Sequence, residues 1–169
     1  DGFKIAIIGP PNVGKSSLLN YLSNRDVAIV SEIAGTTRDV IETHLNINGY
    51  PVIISDTAGI REAKDEIEKK GIKLSLKKAD EADLKLIILD GKNLDFPSVL
   101  SNLMDENCIL VINKSDILKN KITSELKKFD YIMVSIKDNS KQLKPIKQIS
   151  KQLKSNIIVS IQLKRTQNN

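Results

Sequence analysis

Apolar positions recur along the 169-residue chain in two alternating rhythms. Short, mostly apolar runs read as strands, and stretches with apolar residues three and four apart read as amphipathic helices. Lys4 to Ile8 is such a run. It meets Gly9, passes a loop to Gly14 and enters Lys15 to Ser23, where Leu18, Leu19 and Leu22 fall at helical spacing. Val40 to Ile47 alternates, Asn48-Gly49 is a turn pair and Pro51 to Ser55 is apolar again, which predicts an antiparallel hairpin. Glu66 to Ala79 sets Ile67, Ile72, Leu74, Leu76 and Ala79 among charges and predicts a helix. Leu84 to Leu89 is nearly unbroken and predicts a strand buried on both faces. The alternation continues with Pro97 to Asp105 as helix, Cys108 to Ile112 as strand, Ile122 to Phe129 as helix, Tyr131 to Val134 as strand and Leu143 to Leu153 as helix. Strands separated by helices imply an α/β domain whose sheet is mostly parallel and covered on both sides.

Composition narrows this picture. With 40% hydrophobic and 28% charged residues the chain is of globular type, and no apolar run approaches the roughly 18 residues of a membrane span, so no membrane is expected. A single cysteine, Cys108, excludes an intrachain disulfide framework and favours a reducing, cytoplasmic setting, with organellar origin left open. Asp1 at the head and the lack of a signal-like stretch suggest a piece of a longer chain. The net charge of +5 is uneven: residues 1–90 hold 12 Lys/Arg against 14 Asp/Glu, and residues 91–169 hold 14 against 7. The lysines of the second half are spread among Leu, Ile and Gln, which reads as solvated faces, with an RNA-facing patch as the alternative. His44 should point outward from its strand and Cys108 should begin a buried one, both as structural residues.

The chemistry-bearing segments are ordered. Gly9-Pro10-Pro11-Asn12-Val13-Gly14-Lys15-Ser16 fits G-x-x-x-x-G-K-S/T between a predicted strand and a predicted helix. Such a loop offers backbone N–H groups and a helix N-terminus to phosphate oxygens, so Asn12, Val13, Gly14, Lys15, Ser16 and Ser17 form the expected cradle. Lys15 would neutralise the β- and γ-phosphates, and Ser16 would give its hydroxyl to Mg²⁺. Asp56-Thr57-Ala58-Gly59 follows the second hairpin strand, where P-loop enzymes keep an acid near the metal and a glycine N–H near the γ-phosphate. Thr37, between the first helix and the hairpin, is the candidate second hydroxyl for Mg²⁺. Asn113-Lys114-Ser115-Asp116 fits N-K-x-D; the Asp116 carboxylate can accept from guanine N1–H and N2–H₂ together, which adenine does not offer. Ser135-Ile136-Lys137 stands where a third purine contact would come from a backbone N–H. Together these motifs predict GTP as substrate and GDP as product.

The chain resembles the G domain of the MnmE (TrmE) family, the GTPases of tRNA wobble-uridine modification. The resemblance rests on Pro11-Asn12-Val13-Gly14-Lys15-Ser16-Ser17-Leu18-Leu19-Asn20, on Ala28-Ile29-Val30-Ser31 running into Ala34-Gly35-Thr36-Thr37-Arg38-Asp39-Val40, and on Asp56-Thr57-Ala58-Gly59-Ile60-Arg61-Glu62. Asp65-Glu66-Ile67-Glu68-Lys69-Lys70-Gly71-Ile72 is the most specific segment. The Era and Der ribosome-assembly GTPases share the first three more loosely.

The resemblance implies a Ras-like P-loop GTPase fold, an α/β domain with a six-stranded, mostly parallel sheet containing one antiparallel strand. It also implies a G domain over residues 1–155 and a C-terminal segment over 156–169 leading toward a helical domain. Ile60 stands where Ras-type enzymes carry the water-orienting Gln. The resemblance then implies Glu68 as a catalytic residue beside Lys15, and a K⁺ ion held by Asn12, by the backbone carbonyls of Ser31 and Ile33, and by Thr36. It further implies a G-domain homodimer in the transition state, and, for full-length members, the MnmG flavoprotein, tRNA and a folate one-carbon carrier as partners. Two rival expectations remain: an Era/Der-like ribosome-assembly factor, and a hydrolysis-poor module that relays its nucleotide state.

Overall fold

In the computed structural model the described residues are 2–10, 13–15, 18, 28–34, 40–47, 50–57, 66–94, 96, 98–113, 122–135, 151–152, 154–156, 158–159, 162–163 and 165–168. Seven strands form one sheet: β1 (Phe3–Ile8), β2 (Ala28–Ala34), β3 (Val40–Ile47), β4 (Tyr50–Thr57), β5 (Leu84–Asp90), β6 (Cys108–Asn113) and β7 (Tyr131–Met133). Their spatial order is β2-β3-β4-β1-β5-β6-β7. The pairs β4–β1, β1–β5, β5–β6 and β6–β7 are parallel, whereas β3 runs against both β2 and β4. One strand is therefore antiparallel, as expected, but among the described residues the sheet has seven strands rather than six. The additional edge strand is Ala28–Ala34, whose β-branched Ile29, Val30 and Ile33 suit an extended backbone. Its register against β3 shifts between Ile29 and Ser31, as a bulge does.

Alternation on β1 divides the core. Phe3, Ile5 and Ile7 pack with Val52, Ile54, Leu84, Leu86, Ile88, Ile109, Val111 and, from the helical turn after the first loop, Leu18. Ala6 and Ile8 face the opposite side with Ile87, Leu89, Leu110, Leu100 and Ala79. Five of the seven β5 positions are buried and both faces are represented, which bears out the two-sided burial read from Leu84 to Leu89.

The second layer is covered by the long helix Glu66–Glu81. Ile72, Ser75, Leu76 and Ala79 recur at offsets of three and four and turn to the sheet, with Ser75 and Ala79 fully buried. Lys78 in its last turn complements the helix dipole. The helix ends into a reciprocal pair: the Lys4 N–H donates to the Asp83 carboxylate at 2.9 Å, and the Asp83 N–H donates to the Lys4 carbonyl at 2.8 Å.

Two predicted helices are shorter than their periodicity implied. Between Pro97 and Asp105 only Ser98–Ser101 is α-helical. Leu103 and Met104 then bond back three residues, and the Asp105 side chain accepts the Asn107 N–H at 2.8 Å, which bends the chain toward β6. Between Ile122 and Phe129 only a 3₁₀ turn, Leu126–Lys128, forms. Leu126 is the one fully buried apolar residue described there, and a single anchor does not offset the cost of helix nucleation. Phe96 and Phe129 meet edge to face at 6.2 Å between centroids, joining these two connections. The turn pair Asn48-Gly49 and most of Leu143 to Leu153 lie outside the described residues. The described residues between 151 and 168 are largely helical, so the terminal segment carries more regular structure than its polar sequence indicated. Among the described residues no helix is long and apolar enough to cross a membrane.

Candidate functional site

Parallel strands deliver their carboxyl ends to one edge of a sheet, and the connections leaving that edge build ligand sites in open α/β folds. Here Gly9 follows β1, Gly91 follows β5, and Val134 and Ser135 follow β7, while Thr57 closes β4 and Asn113 closes β6. Register aligns them, with Ile7 beside Asp56, Ile8 beside Ile87 and Asp90 beside Asn113.

The first loop is shaped by two glycines. A side-chain carbon on Gly9 would lie 2.3 Å from the Ile88 carbonyl oxygen, so the chain crosses β5 where only hydrogen fits. Gly14 has φ 94°, a left-handed backbone that L side chains avoid. The helical turn then opens at Lys15, with the Leu18 N–H bonded to the Gly14 carbonyl at 2.9 Å. A helix N-terminus thus follows the loop.

Lys15 is only 7% exposed. Its Nζ donates to the Pro10 carbonyl at 2.8 Å and to the Gly9 carbonyl at 3.2 Å, folding the ammonium back over its own loop. A desolvated ammonium held this way is a compact positive charge beside the glycine loop, an arrangement suited to a polyphosphate.

Asn113 reaches the same loop from the other half of the chain. Its Nδ2 donates to the Val13 carbonyl at 2.8 Å in a buried contact, and the Gly91 N–H donates to the Asn113 carbonyl at 2.7 Å. The first motif and the N-K-x-D motif are therefore joined by side chain as well as by strand order. The N-K-x-D pattern reads Asn113 as a purine contact and says nothing of this bridge, whose two ends are 100 residues apart with no local pattern to mark them. Ser135, at the end of the β7 connection, is 1% exposed, and Val134 continues the ladder through its N–H to the Ile112 carbonyl at 2.8 Å.

The other sequence-predicted site residues divide into two groups. For Ser31, Ile33, Asp56, Thr57 and Glu68 the structure describes the backbone alone. Ser31 and Ile33 stand two apart on the edge strand β2, Asp56 and Thr57 end β4 beside the first loop, and Glu68 lies in the first turn of the long helix. Asn12, Ser16, Ser17, Thr36, Thr37, Ala58, Gly59, Lys114, Asp116, Ile136 and Lys137 lie outside the described residues. Among the described residues no group of three or more His, Cys, Asp or Glu is placed to hold a metal ion.

Away from this edge, Lys78 of the long helix donates to the Glu42 carboxylate on β3 at 2.9 Å, both side chains being about 30% exposed. That hydrogen bond is the chief reason the Glu42 carboxyl is held below its ordinary range, against the opposing effect of burial. His44 Nε2 lies 3.8 Å from Glu42. The expectation that His44 points to solvent is corrected: it is half-buried on the helix-covered face, and its Nε2 is buried with no hydrogen-bond partner. Cys108 does begin β6, half-buried, and burial pushes its thiol up to about 11.

A glycine-shaped anion loop after the first strand, a lysine over its mouth and an N-K-x-D strand tied to it define a P-loop GTPase domain. The chain matches the family described as 50S ribosome-binding GTPase over residues 4–114, and it belongs to that family. It is accordingly a GTP-hydrolysing domain that works with GTP, GDP and Mg²⁺. Within the family its sequence is of the MnmE type. It is 75% identical over 129 residues to the tRNA modification GTPase MnmE of Pelagibacter ubique (strain HTCC1062), covering 76% of this chain and 29% of that protein. It is 54% identical over 155 residues to the MnmE of Rickettsia rickettsii (strain Sheila Smith), covering 88% of this chain and 35% of that protein. The chain thus spans about a third of the length of these curated relatives. Among solved structures, Era in complex with MgGDPNP and a stretch of 16S ribosomal RNA superposes with a TM-score of 0.66 at 30% identity, covering 88% of this chain and 56% of that one.

Proposed function

We propose that this chain is the catalytic G domain of a tRNA wobble-uridine modification GTPase, hydrolysing GTP by in-line attack of water on the γ-phosphate with help from K⁺. The observation that carries the reading is the 75% identity to a MnmE relative across most of the chain. The ribosome-assembly reading has weaker support, since its structural relative is 30% identical.

Each residue has a stated task. The backbone N–H groups of Val13 and Gly14 and the helix turn behind them bind phosphate oxygens, and the Lys15 ammonium neutralises charge on the β- and γ-phosphates. Asn113 holds the Val13 carbonyl, fixing the loop from β6. Lys114, Asp116 and the Ser135-Ile136-Lys137 backbone read the guanine, while Asp56 to Gly59 and Thr37 lie at the γ-phosphate side. Ile60 has no polar atom with which to orient water, and the task falls to Glu68.

Mg²⁺ fits the residues offered to it. The hydroxyls of Ser16 and Thr37 are hard oxygen donors, and the Asp56 backbone is registered beside Ile7, two residues short of the phosphate loop. A monovalent cation fits a set of neutral oxygens, the Asn12 amide, the Thr36 group and the carbonyls of Ser31 and Ile33, which alternate in phase along β2. When bound, the two cations would supply electrostatic stabilisation of the charge that develops on the transferring phosphoryl group, the part an arginine finger plays elsewhere.

A homodimer formed through the face bearing these residues, a flavoprotein of the MnmG kind, tRNA and a folate one-carbon carrier belong to the same proposal for the full-length protein, in the cytoplasm. The test is GTP turnover in KCl against NaCl, with the mass measured in GDP and AlF₄⁻. Turnover well above the NaCl rate, and a dimer appearing in KCl, are expected; equal rates in both salts would overturn the K⁺ assignment.

A further inference from the structure

The long helix begins two residues before Glu68 and is pinned near its other end by the Lys78–Glu42 ion pair at 2.9 Å. Ten residues of helix separate Glu68 from Lys78, about 15 Å at 1.5 Å per residue. Glu42, in turn, is the third residue of β3, about 7 Å into the strand that emerges from the Thr36–Thr37 segment. The helix packs on β1 and β4, and the polar bridge to Glu42 extends its grip one strand further, to β3. His44 and Lys4 are the other charged or titratable groups acting on Glu42, and His44 has no hydrogen bond of its own at Nε2.

We propose that Lys78 and Glu42 are positioning residues for hydrolysis: their ion pair fixes the helix that carries Glu68 against the strand that follows Thr36 and Thr37, so that both sides of the γ-phosphate region are held by one clamp. The inference rests on the Glu68 assignment above. Neither residue touches the nucleotide. The clamp acts on how the catalytic helix is aimed and leaves the phosphate loop, built on Gly9, Gly14 and Lys15, as it is. Its deletion therefore lowers the chemical step and spares nucleotide affinity.

An exposed-to-half-buried ion pair sets the scale at no more than about fivefold in rate. The experiment is single-turnover GTP hydrolysis by the 169-residue chain in KCl, with GTP affinity and melting temperature measured in parallel. Glu42→Ala and Lys78→Ala are expected to slow hydrolysis with affinity unchanged. Glu42→Gln, which keeps an acceptor for the ammonium, and the exchange Glu42→Lys with Lys78→Glu should recover most of the rate. Parent-like rates in both alanine variants, a weakened affinity with unchanged rate, or an exchange no faster than the single variants would each overturn the clamp. Glu68→Ala run alongside separates the two claims: a parent-like rate in that variant removes Glu68 from catalysis, whereas the clamp is judged by rescue in the exchange.

Discussion

Replacing Gly9 with alanine adds one carbon at the tightest crossing in the phosphate loop. That carbon would meet the Ile88 carbonyl oxygen at 2.3 Å and the Val13 Cγ2 at 3.2 Å, where ordinary contact begins near 3.4 Å. Loop and β5 must separate by about 1 Å, and neither is the end of a flexible side chain. Overpacking of this kind costs about 1–3 kcal/mol. For a domain of this length that lowers the melting temperature by roughly 3–10 °C. The same shift drags the Val13 carbonyl from Asn113 and the loop N–H groups from the phosphates, so GDP affinity should fall by about tenfold or more. Thermal melts and fluorescence titration with a labelled GDP measure both. Gly2→Ala is the milder comparison: its added carbon would lie 2.9 Å from the Pro51 carbonyl oxygen, also a backbone atom but less deeply overlapped, so a loss smaller than that at Gly9 is expected, with GDP affinity unchanged. A Gly9→Ala protein that melts with the parent and binds GDP as tightly would refute the geometric argument.

The remaining predictions concern other parts of the molecule. Asn113→Ala removes the donor that satisfies the buried Val13 carbonyl, and the unpaired oxygen should cost about 1–3 kcal/mol, read as lower stability in urea together with weaker GDP binding. Because burial raises the Cys108 thiol from 9.0 to about 11, alkylation at pH 8 should be slow in the folded protein and fast in urea. Stability should also fall as pH climbs from about 9 toward 11, where the unfolded chain has lost that proton and the folded one has kept it; a Cys108→Ala variant that shows the same alkaline decline would contradict this. Glu42 has the opposite sign. Its carboxyl sits below 4.5 in the folded protein, chiefly through Lys78, so its contribution is present above that value and is lost as pH falls through the folded one. Glu42→Gln should flatten acid denaturation in that range, and an unchanged acid profile would count against the pair.

Much of this architecture is legible in the sequence because it depends on local signals. The strand, loop and helix around Gly9 and Lys15 are marked by an apolar run, two glycines and a leucine periodicity, and the two-sided burial of β5 follows from its unbroken apolar run. The hairpin of β3 and β4 follows from alternation. What was not legible is non-local or competitive. Among the described residues the extra strand β2 pairs with β3 alone, and no alternation or turn signal within its own seven residues announces that pairing. The short helix Ser98–Ser101 gives way to tighter turns at Leu103 and Met104 and then to the Asp105 side chain bonding the Asn107 N–H, a course that periodicity does not encode. The Asn113 bridge and the half-buried setting of His44 arise from the docking of distant segments, which no window of residues contains.

The strand order also bears on how such a chain is made. β1 has no partner among its immediate successors: it pairs with β4 and β5, and its Lys4 bonds to Asp83 across 79 positions. During translation at about 5–20 residues per second, the opening strand therefore waits roughly 4 to 16 s before its far neighbour emerges. Until then β1 can pair on its β4 side alone, and the phosphate loop lacks the Ile88 backbone beneath Gly9. Nascent chains that stop short of β5 should therefore be the ones that depend on chaperones, and nucleotide can add to their stability only after β5 has left the exit tunnel.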